Sequence, residues 1–329
     1  MTLKPATRLP PETFPLQPRP IRIGTRGSPL ALAQAHQVRC RLMAAHGLGE
    51  DRFAIEIIKT SGDRIQDRPL SEVGGKGLFT KEIEDALRAG AIDLAVHSAK
   101  DMSTTLPTGL AIAAVLERED VRDAFISLKY RSLAELPQGA TVGTSSLRRQ
   151  AQVKRRRPDL VVVGFRGNVD TRLAKLEAGV ADATFLAAAG LNRLGSAQRI
   201  TSLVAIDDML PAVAQGAIAL EVRADDSATR QLVAPLDHQP TALCIAAERA
   251  YLARLDGSCR TPIAGLAQLT GRDLVMRGQL LAPDGSAAFE AARSGPAAQA
   301  LDLGRQVAEA LLEAAGPAFM ARYFGTETS

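Results

Sequence analysis

Short apolar runs closed by Gly, Ser or Arg clusters alternate with stretches of helical period up to about residue 222. That alternation predicts βα units feeding mainly parallel sheets. Residues 21–25 read as a strand. Ser28 then suits a helix N-cap and Pro29 the first helical turn. Ala31, Ala35, Val38 and Leu42 fall on one face, and Gly47 ends the helix. Residues 53–59 form the next strand. From Thr60 to Gly77 there is no apolar period, only Gly62, Pro69, Gly74, Gly75 and Gly77 among polar residues. A loop of that length is expected to be a lid or binding loop, or to lack order. A helix over 80–90, with Ile83 and Leu87 inward, leads to a strand at 92–96 that ends in a polar cluster at Asp101. Residues 110–116 form another strand.

A second series repeats the plan. Strands are predicted at 124–128, 141–143, 160–163 and 183–186. Helices start near Ser146, after Asn168 (running to about Ala178) and over 187–194. Gly24-Thr25 and Gly143-Thr144 both stand where a strand turns into a Ser-capped helix, which hints at two similar lobes facing a cleft. A strand at 217–222 is placed to return to the first lobe. After Pro240 the pattern changes. A helix over 241–255 carries Cys244, Ala247, Tyr251 and Leu255 on one stripe. Strands at 263–269, 274–281 and 287–291 follow, joined by Thr270-Gly271-Arg272-Asp273 and Pro283-Asp284-Gly285, both with hairpin chemistry. A helix over 297–314 closes a small α+β domain. The expected fold class is α/β, with two doubly wound lobes and that C-terminal domain. The expected boundaries are a disordered tail at 1–19, lobe 1 at 20–116 plus 217–236, lobe 2 at 117–216 and the α+β domain at 237–329.

Composition narrows the function classes. A chain of 329 residues exceeds what one core usually holds. Forty basic and 36 acidic residues leave a net charge of +4, too mild to argue for nucleic acid. No Trp and 4% aromatics leave little for base stacking. Cys40, Cys244 and Cys259 make no paired framework and no zinc spacing, and His36, His46, His97 and His238 are scattered. No metal, a reducing compartment and the cytoplasm are therefore expected. The Pro-rich start has neither a signal-peptide nor a membrane-span pattern.

The chemistry concentrates at strand ends, where open α/β sheets bind ligands. Asp101 stands just past one such end. It reads either as a loop or capping aspartate or as a carboxylate kept ionised by cations and able to face a developing positive charge. Lys100, Arg26, Arg148, Arg149, Arg166, Arg172 and Arg193 lie at similar junctions. Arg148 and Arg149 follow Thr144-Ser145-Ser146 at a helix start, where free backbone N–H groups already favour anions. Arginine forks grip carboxylates at two points, each charge-assisted bond contributing roughly 1.5–3 kcal/mol. Composition leaves carboxylate and phosphate ligands both open, though no Gly-x-x-x-x-Gly-Lys-Ser/Thr occurs. The run from Lys154 to Arg157 reads as a solvated helix end. Cys259, in a Gly-Ser turn without a neighbouring His, is either an ordinary thiol or a covalent attachment point.

At these residues the chain resembles the porphobilinogen deaminase (hydroxymethylbilane synthase) family. The resemblance runs through Thr25-Arg26-Gly27-Ser28-Pro29-Leu30-Ala31, Gly74-Gly75-Lys76-Gly77-Leu78-Phe79, Val96-His97-Ser98-Ala99-Lys100-Asp101, Gly143-Thr144-Ser145-Ser146-Leu147-Arg148-Arg149-Gln150, Arg166-Gly167-Asn168-Val169, Pro211-Ala212-Val213-Ala214-Gln215-Gly216 and Gly257-Ser258-Cys259. It implies lobes like those of type II periplasmic binding proteins. It implies a dipyrromethane cofactor, one per chain, joined by a thioether to Cys259, with Asp101 as the catalytic aspartate. Lys100, Thr144, Ser146, Arg148, Arg149, Arg172 and Gln215 match cofactor-binding positions. Arg26, Ser28, Gln34, Arg166 and Arg193 match substrate-binding positions, and Lys76 and Phe79 match the mobile loop over the cleft. The implied partners are porphobilinogen and its oligopyrrole intermediates, bound by a monomer that engages neither nucleic acid nor membrane. Glu72, Gly27 and Arg260-Thr261 depart from some relatives. The rival reading is a two-lobed solute-binding protein for a small polycarboxylate, without catalysis.

Overall fold

The structure, a computed structural model, describes residues 19–64, 77–257 and 261–324. The first βα series gives β1 (Ile21–Thr25), α1 (Pro29–His46), β2 (Phe53–Ile57), the short α2 (Ser61–Arg64), α3 (Lys81–Arg88), β3 (Leu94–Ser98) and β4 (Leu110–Val115). Ser28 caps α1 by accepting from the Ala31 N–H, Pro29 occupies its first turn, and Gly47 ends it with φ 66°. The second series gives β5 (Asp123–Ile126), β6 (Thr141–Gly143), α4 (Leu147–Arg156), β7 (Val161–Val163), α5 (Val169–Glu177), β8 (Ala183–Ala187), α6 (Ala188–Arg193) and β9 (Ser202–Leu203). The chain then returns through β10 (Ile218–Arg223) and α7 (Ser227–Val233). The last part holds α8 (Gln239–Arg254), β11 (Ile263–Thr270), β12 (Asp273–Leu281), β13 (Ala288–Pro296) and α9 (Ala300–Phe324).

The two large sheets share one strand order. The first runs β2-β1-β3-β10-β4 and the second β7-β6-β8-β5-β9. In each, the fourth strand arrives from the other lobe and is antiparallel to its neighbours. The chain therefore crosses between lobes twice, before β5 and before β10. Central strands are covered on both faces, so both faces of β3 are buried at Leu94, Ala95 and Val96. On one face Leu94, Val96 and Leu220 pack against Val38 and Leu42 of α1. On the other, Ala95 meets Ile83 and Leu87 of α3.

The third sheet, β11-β12-β13, is an antiparallel meander covered by α8 and α9. Gly304 lets those helices touch, because a Cβ there would collide with the Ala247 carbonyl oxygen. Tyr251, fully buried, donates its hydroxyl to the Ala264 carbonyl at 3.0 Å.

Glu248 of α8 holds both crossovers. Its fully buried carboxylate accepts from Arg118 at 2.6 and 3.0 Å on the first crossover and from the Ala214 N–H on the second. It also accepts from Ala267 N–H of β11 at 2.8 Å. Arg118 spans the two crossovers itself, donating Nε to the Gln215 carbonyl at 2.9 Å.

Several expectations shift. The strand expected at 92–96 pairs over Leu94–Ser98, because Asp93 is engaged by Arg19 and Arg22 at its foot. β9 and α7 are elements the sequence reading did not contain, and Ser61–Arg64 is helical inside the expected loop. The 287–291 strand extends to Pro296, and the last helix reaches Phe324 past a kink at Gly316-Pro317. The run Lys154–Arg157 is not simply solvated. Lys154 donates to the Leu160 carbonyl, and Arg157 donates to the Leu133 and Leu136 carbonyls and pairs with Asp159. Basic side chains thus bind carbonyls around the C-terminal end of α4.

Replacing Glu248 by Ala leaves Arg118 half-buried without its partner and two buried N–H groups unsatisfied. A loss of about 3–5 kcal/mol is expected, read as a lowered melting temperature. An unchanged melting temperature would count against the clamp.

Candidate active site

β3 runs out of apolar residues at Ser98, and residues 99–101 make one tight turn that presents Lys100 and Asp101. Asp101 is half-buried, with Arg26 Nη1 at 3.8 Å from its Oδ2. Arg26 follows directly on β1, the neighbouring strand. Asp63 of α2 holds the same guanidinium, with Nε at 3.2 Å from Oδ1, and the Phe79 ring lies 4.3 Å from its centre. Burial pushes the Asp63 carboxyl up, but hydrogen bonds from Arg26 and Thr60 outweigh it and hold the group below its ordinary range. Arg26 is therefore divided between a supporting acid and Asp101. Gln34, buried on α1, donates to Ser98 Oγ at 2.9 Å and so ties α1 to the end of β3. Ser28 spends its hydroxyl on the α1 cap at 3.3 Å.

The second lobe presents the corresponding junction after β6. Thr144 is buried, donates its N–H to the Val163 carbonyl and accepts from the Ser146 N–H at 3.2 Å. Ser146 caps α4 through the Arg149 N–H. Here both arginine forks are already engaged within the protein. Arg148 and Arg149 are buried, and both are bound to Asp123 at the start of β5. Arg148 Nη1 reaches Asp123 Oδ2 at 2.7 Å and the Leu210 carbonyl at 2.9 Å. Arg149 reaches Asp123 Oδ1 at 2.6 Å and the Phe185 carbonyl at 2.8 Å. Gln215 adds a third donor to Asp123 at 3.2 Å. Burial pushes the Asp123 carboxyl up, but the two guanidinium charges prevail and hold it far below its usual range. One carboxylate against two guanidinium groups leaves a positive surplus at the floor of the cleft.

That surplus reaches across the cleft. Burial pushes the Lys100 ammonium below its ordinary pKa; Asp101 and Asp123 oppose the shift, while Arg149 and Arg148 reinforce it. Lys100 on one lobe thus faces the α4 junction on the other. Arg172 on α5 donates Nε to the Gly167 carbonyl at 2.9 Å and makes no ion pair among the described residues. Burial, with Arg149 and Arg166 nearby, brings it down to about 10. Arg166, just before α5, contributes its carbonyl to Lys175 at 3.0 Å. Arg193, at the end of α6, donates to the Gly216 carbonyl at 2.7 Å, and its buried Nε has no partner among the described residues. Burial lowers its pKa and Glu119 opposes that.

The structure brings Arg26, Phe79, Lys100 and Asp101 to one end of β1 and β3, and Arg148, Arg149 and Gln215 around Asp123 opposite. Lys76 and Cys259, like Glu72, lie outside the described residues. Sequence reasoning missed Asp63 and Asp123, the acids that hold the cations. The signal available for Asp123 was a lone acid opening the apolar run Asp123-Ala124-Phe125-Ile126. Chemically, the arrangement suits a polycarboxylate with a positive centre developing beside Asp101.

Comparison with known proteins fits this geometry. A family model described as porphobilinogen deaminase, dipyromethane cofactor binding domain, matches residues 21–231. A second, porphobilinogen deaminase, C-terminal domain, matches residues 242–313. The chain is 63% identical to a porphobilinogen deaminase of Paracoccus denitrificans over 89% of its own length and 93% of the relative's. It is 55% identical to one of Nitrobacter winogradskyi over 92% and 96%. Among solved structures, an ABC transporter periplasmic substrate-binding protein from Coxiella burnetii covers 70% of this chain and 96% of its own, at 16% identity and a TM-score of 0.40.

Asp123→Asn is expected to destabilise by about 3–5 kcal/mol at pH 7, since Arg148 and Arg149 would lose their only shared charge. A depressed folded-state pKa adds stability above the unfolded value of 3.8 that is lost on acidification. The melting-temperature gap between the wild type and the Asn variant therefore narrows as pH falls below 3.8. A gap independent of pH would contradict the ion-pair account.

Proposed function

The chain belongs to the porphobilinogen deaminase family, and from that premise we propose how its own residues carry the family's reaction. The activity is that of a hydroxymethylbilane synthase, a transferase of tetrapyrrole and haem biosynthesis whose substrate is porphobilinogen. Four substrate molecules are condensed head to tail, four ammonia molecules leave, and hydrolysis releases hydroxymethylbilane. Membership in the family sets aside the rival solute-binding reading.

The dipyrromethane cofactor of the family carries four carboxylates, two from each of its two porphobilinogen units. The residues present fit such a group. Arg172 is charged beside Arg149 and Arg166 without an ion pair among the described residues, and the buried Arg148 Nε and Gln215 Oε1 lack partners. When bound, the cofactor supplies the free α-carbon to which the first substrate unit is joined. Cys259 would hold it by a thioether, with Lys100, Thr144, Ser146, Arg148, Arg149, Arg172 and Gln215 around it. The buried Arg148 and Arg149 act mainly through their field, since Asp123 occupies much of their forks.

Arg26, Ser28, Gln34, Arg166 and Arg193 bind or position the incoming substrate's carboxylates. The aminomethyl C–N bond then breaks. Its electron pair leaves with protonated nitrogen as ammonia, and the substrate carries an azafulvenium-type cation. Asp101 faces that charge and stabilises it, most strongly where water is excluded. Support for this role is its placement: a half-buried carboxylate at the end of β3, between Arg26 and Lys100, in a cleft otherwise rich in cations.

Each added ring brings two further carboxylates, so the cleft must open while keeping its charge. The division into lobe 1 (20–116 plus 217–236), lobe 2 (117–216) and an α+β domain (237–329) provides the two crossovers as a hinge. The Phe79 ring lies on Arg26 beside Asp101, just after the Thr60–Gly77 loop, with Lys76 in it, that is expected to cover the cleft. The enzyme works as a monomer in the cytoplasm. Among the described residues no helix is long and apolar enough to cross a membrane, and Cys40 and Cys244 are free thiols.

The intact mass of the natural chain is expected to exceed its bare sequence by two porphobilinogen units less two ammonia molecules, and that of Cys259→Ser is not. Equal bare masses, even after incubation with porphobilinogen, would sink the attachment reading. For Asp101→Asn, kcat is expected to fall about 10²–10³-fold with KM little changed. A rate within a few-fold of wild type would remove Asp101 from its assigned role.

A further inference from the structure

Behind the sheet, on the face away from α1, lies a group of buried ionisable side chains that the reaction does not use. Glu221 of β10 is fully buried, His97 of β3 is 5% exposed and Glu84 of α3 is 6% exposed. In the antiparallel register His97 pairs with Ala219 and Ala95 with Glu221. His97 and Glu221 are therefore diagonal neighbours on one face, within reach of long side chains. His97 Nε2 lies 3.0 Å from Glu221 Oε2. The pairing of β10 with β4 shifts register at Glu221, where Leu220 faces Ala114 but Glu221 faces Ile112. Such irregularities aim individual side chains and gather near functional sites.

Two helices packed near this group send charges toward it, while β4, paired with β10, is wholly apolar. From α3 come Glu84 and, further off, Asp85; burial pushes the Glu84 carboxyl up, Glu221 adds to that and His97 opposes it. From α8 comes Arg249, where burial lowers the guanidinium pKa and Glu221 opposes the shift. Arg249 Nη2 donates to the Ser103 carbonyl at 2.8 Å and the Thr104 carbonyl at 3.0 Å. The Lys100-Asp101 turn is thus held on both sides. On the near side His97 stands four residues before Asp101. On the far side Arg249, in the field of Glu221, holds the backbone two and three residues after it.

We infer that Glu221, acting through His97, is a positioning residue for the Lys100-Asp101 turn. Hydrophobic burial alone would make β3 stable. It would not fix where the polar turn beyond its end points, because that turn has only one side in the core. A directional hydrogen bond on the strand and an arginine of α8 bound to the carbonyls of the following loop supply that direction. A catalytic carboxylate displaced by about 1 Å can lose about 10²-fold in rate, so such a support belongs to the reaction. The inference rests on Asp101 being the catalytic carboxylate.

The test compares His97→Gln with His97→Asn in the holoenzyme. A Gln amide reaches the place of Nε2 and can still donate to Glu221; an Asn amide is too short. Expected are a kcat within about threefold of wild type for Gln and a fall of about tenfold for Asn, with KM unchanged within about twofold in both. Hydrogen exchange of amides 99–104 is expected to quicken in Asn and not in Gln. Equal kcat values for the two variants, or a change carried by KM, would overturn the inference. If His97→Asn does not fold, Glu221→Gln, isosteric but uncharged, takes its place: a tenfold lower kcat at unchanged KM supports the inference, and wild-type kcat refutes it. Asp101→Asn is measured alongside. Near-normal turnover there fails the Asp101 reading itself, while the exchange comparison still decides whether Glu221 and His97 hold the turn.

Discussion

Desolvated positive charge is the constraint around which this protein is built. A cleft that must receive several carboxylates needs many cations, and cations close together in a poorly hydrated cleft repel one another. Asp123 answers that problem at the cleft floor. Buried at the start of β5, it accepts from Arg148, Arg149 and Gln215. Taking its carboxylate out of water is costly, and only well-aligned opposite charges offset the cost. Asp63 does the same for Arg26 on the opposite lobe. A supporting acid in each lobe thus offsets neighbouring arginine charge, while Arg172 makes no ion pair among the described residues.

The same economy governs how the parts are joined. Glu248 lies in the C-terminal part of the chain, yet its carboxylate is satisfied by Arg118 on one crossover, Ala214 on the other and Ala267 of β11. The third sheet and its helices therefore hold both crossovers. Arg249, also on α8, reaches the loop after Asp101. Both crossovers and the loop after Asp101 are thereby referred to one helix, whose own packing on α9 depends on the absence of a side chain at Gly304.

Much of this was readable from the sequence, and the reasons are specific. The Ser28-Pro29 start and Gly47 stop of α1 are local chemistry, and they fell where expected. The paired Gly-Thr junctions proved to mark a repeated strand order. The cations at strand ends, Arg26 and Lys100 among them, were legible because junction position and charge are both local properties. Their partners were not. Asp63 and Asp123 are ordinary acids until the fold brings Arg26 and Arg148 onto them, and Arg148 looked like an open fork because nothing local says that it is buried. β9 and α7 are short pieces set by tertiary pairing, and His97 beside Glu221 is a contact 124 residues apart in the chain. Distance along the chain, rather than weakness of the interaction, separates what was read from what was not.

The exchange of strands between the lobes has a consequence for how the chain emerges during synthesis. Every strand of the second sheet, β5 to β9, lies in one continuous stretch ending at Leu203. The first sheet lacks its inner strand β10 until Arg223 has been made, so β3 and β4 wait side by side with a gap between them. The later-encoded lobe can close first, and the earlier one must remain incomplete, with unpaired strand edges, until more than a hundred further residues have followed β4. The part bearing Asp101 is among the first translated and among the last to take its final form.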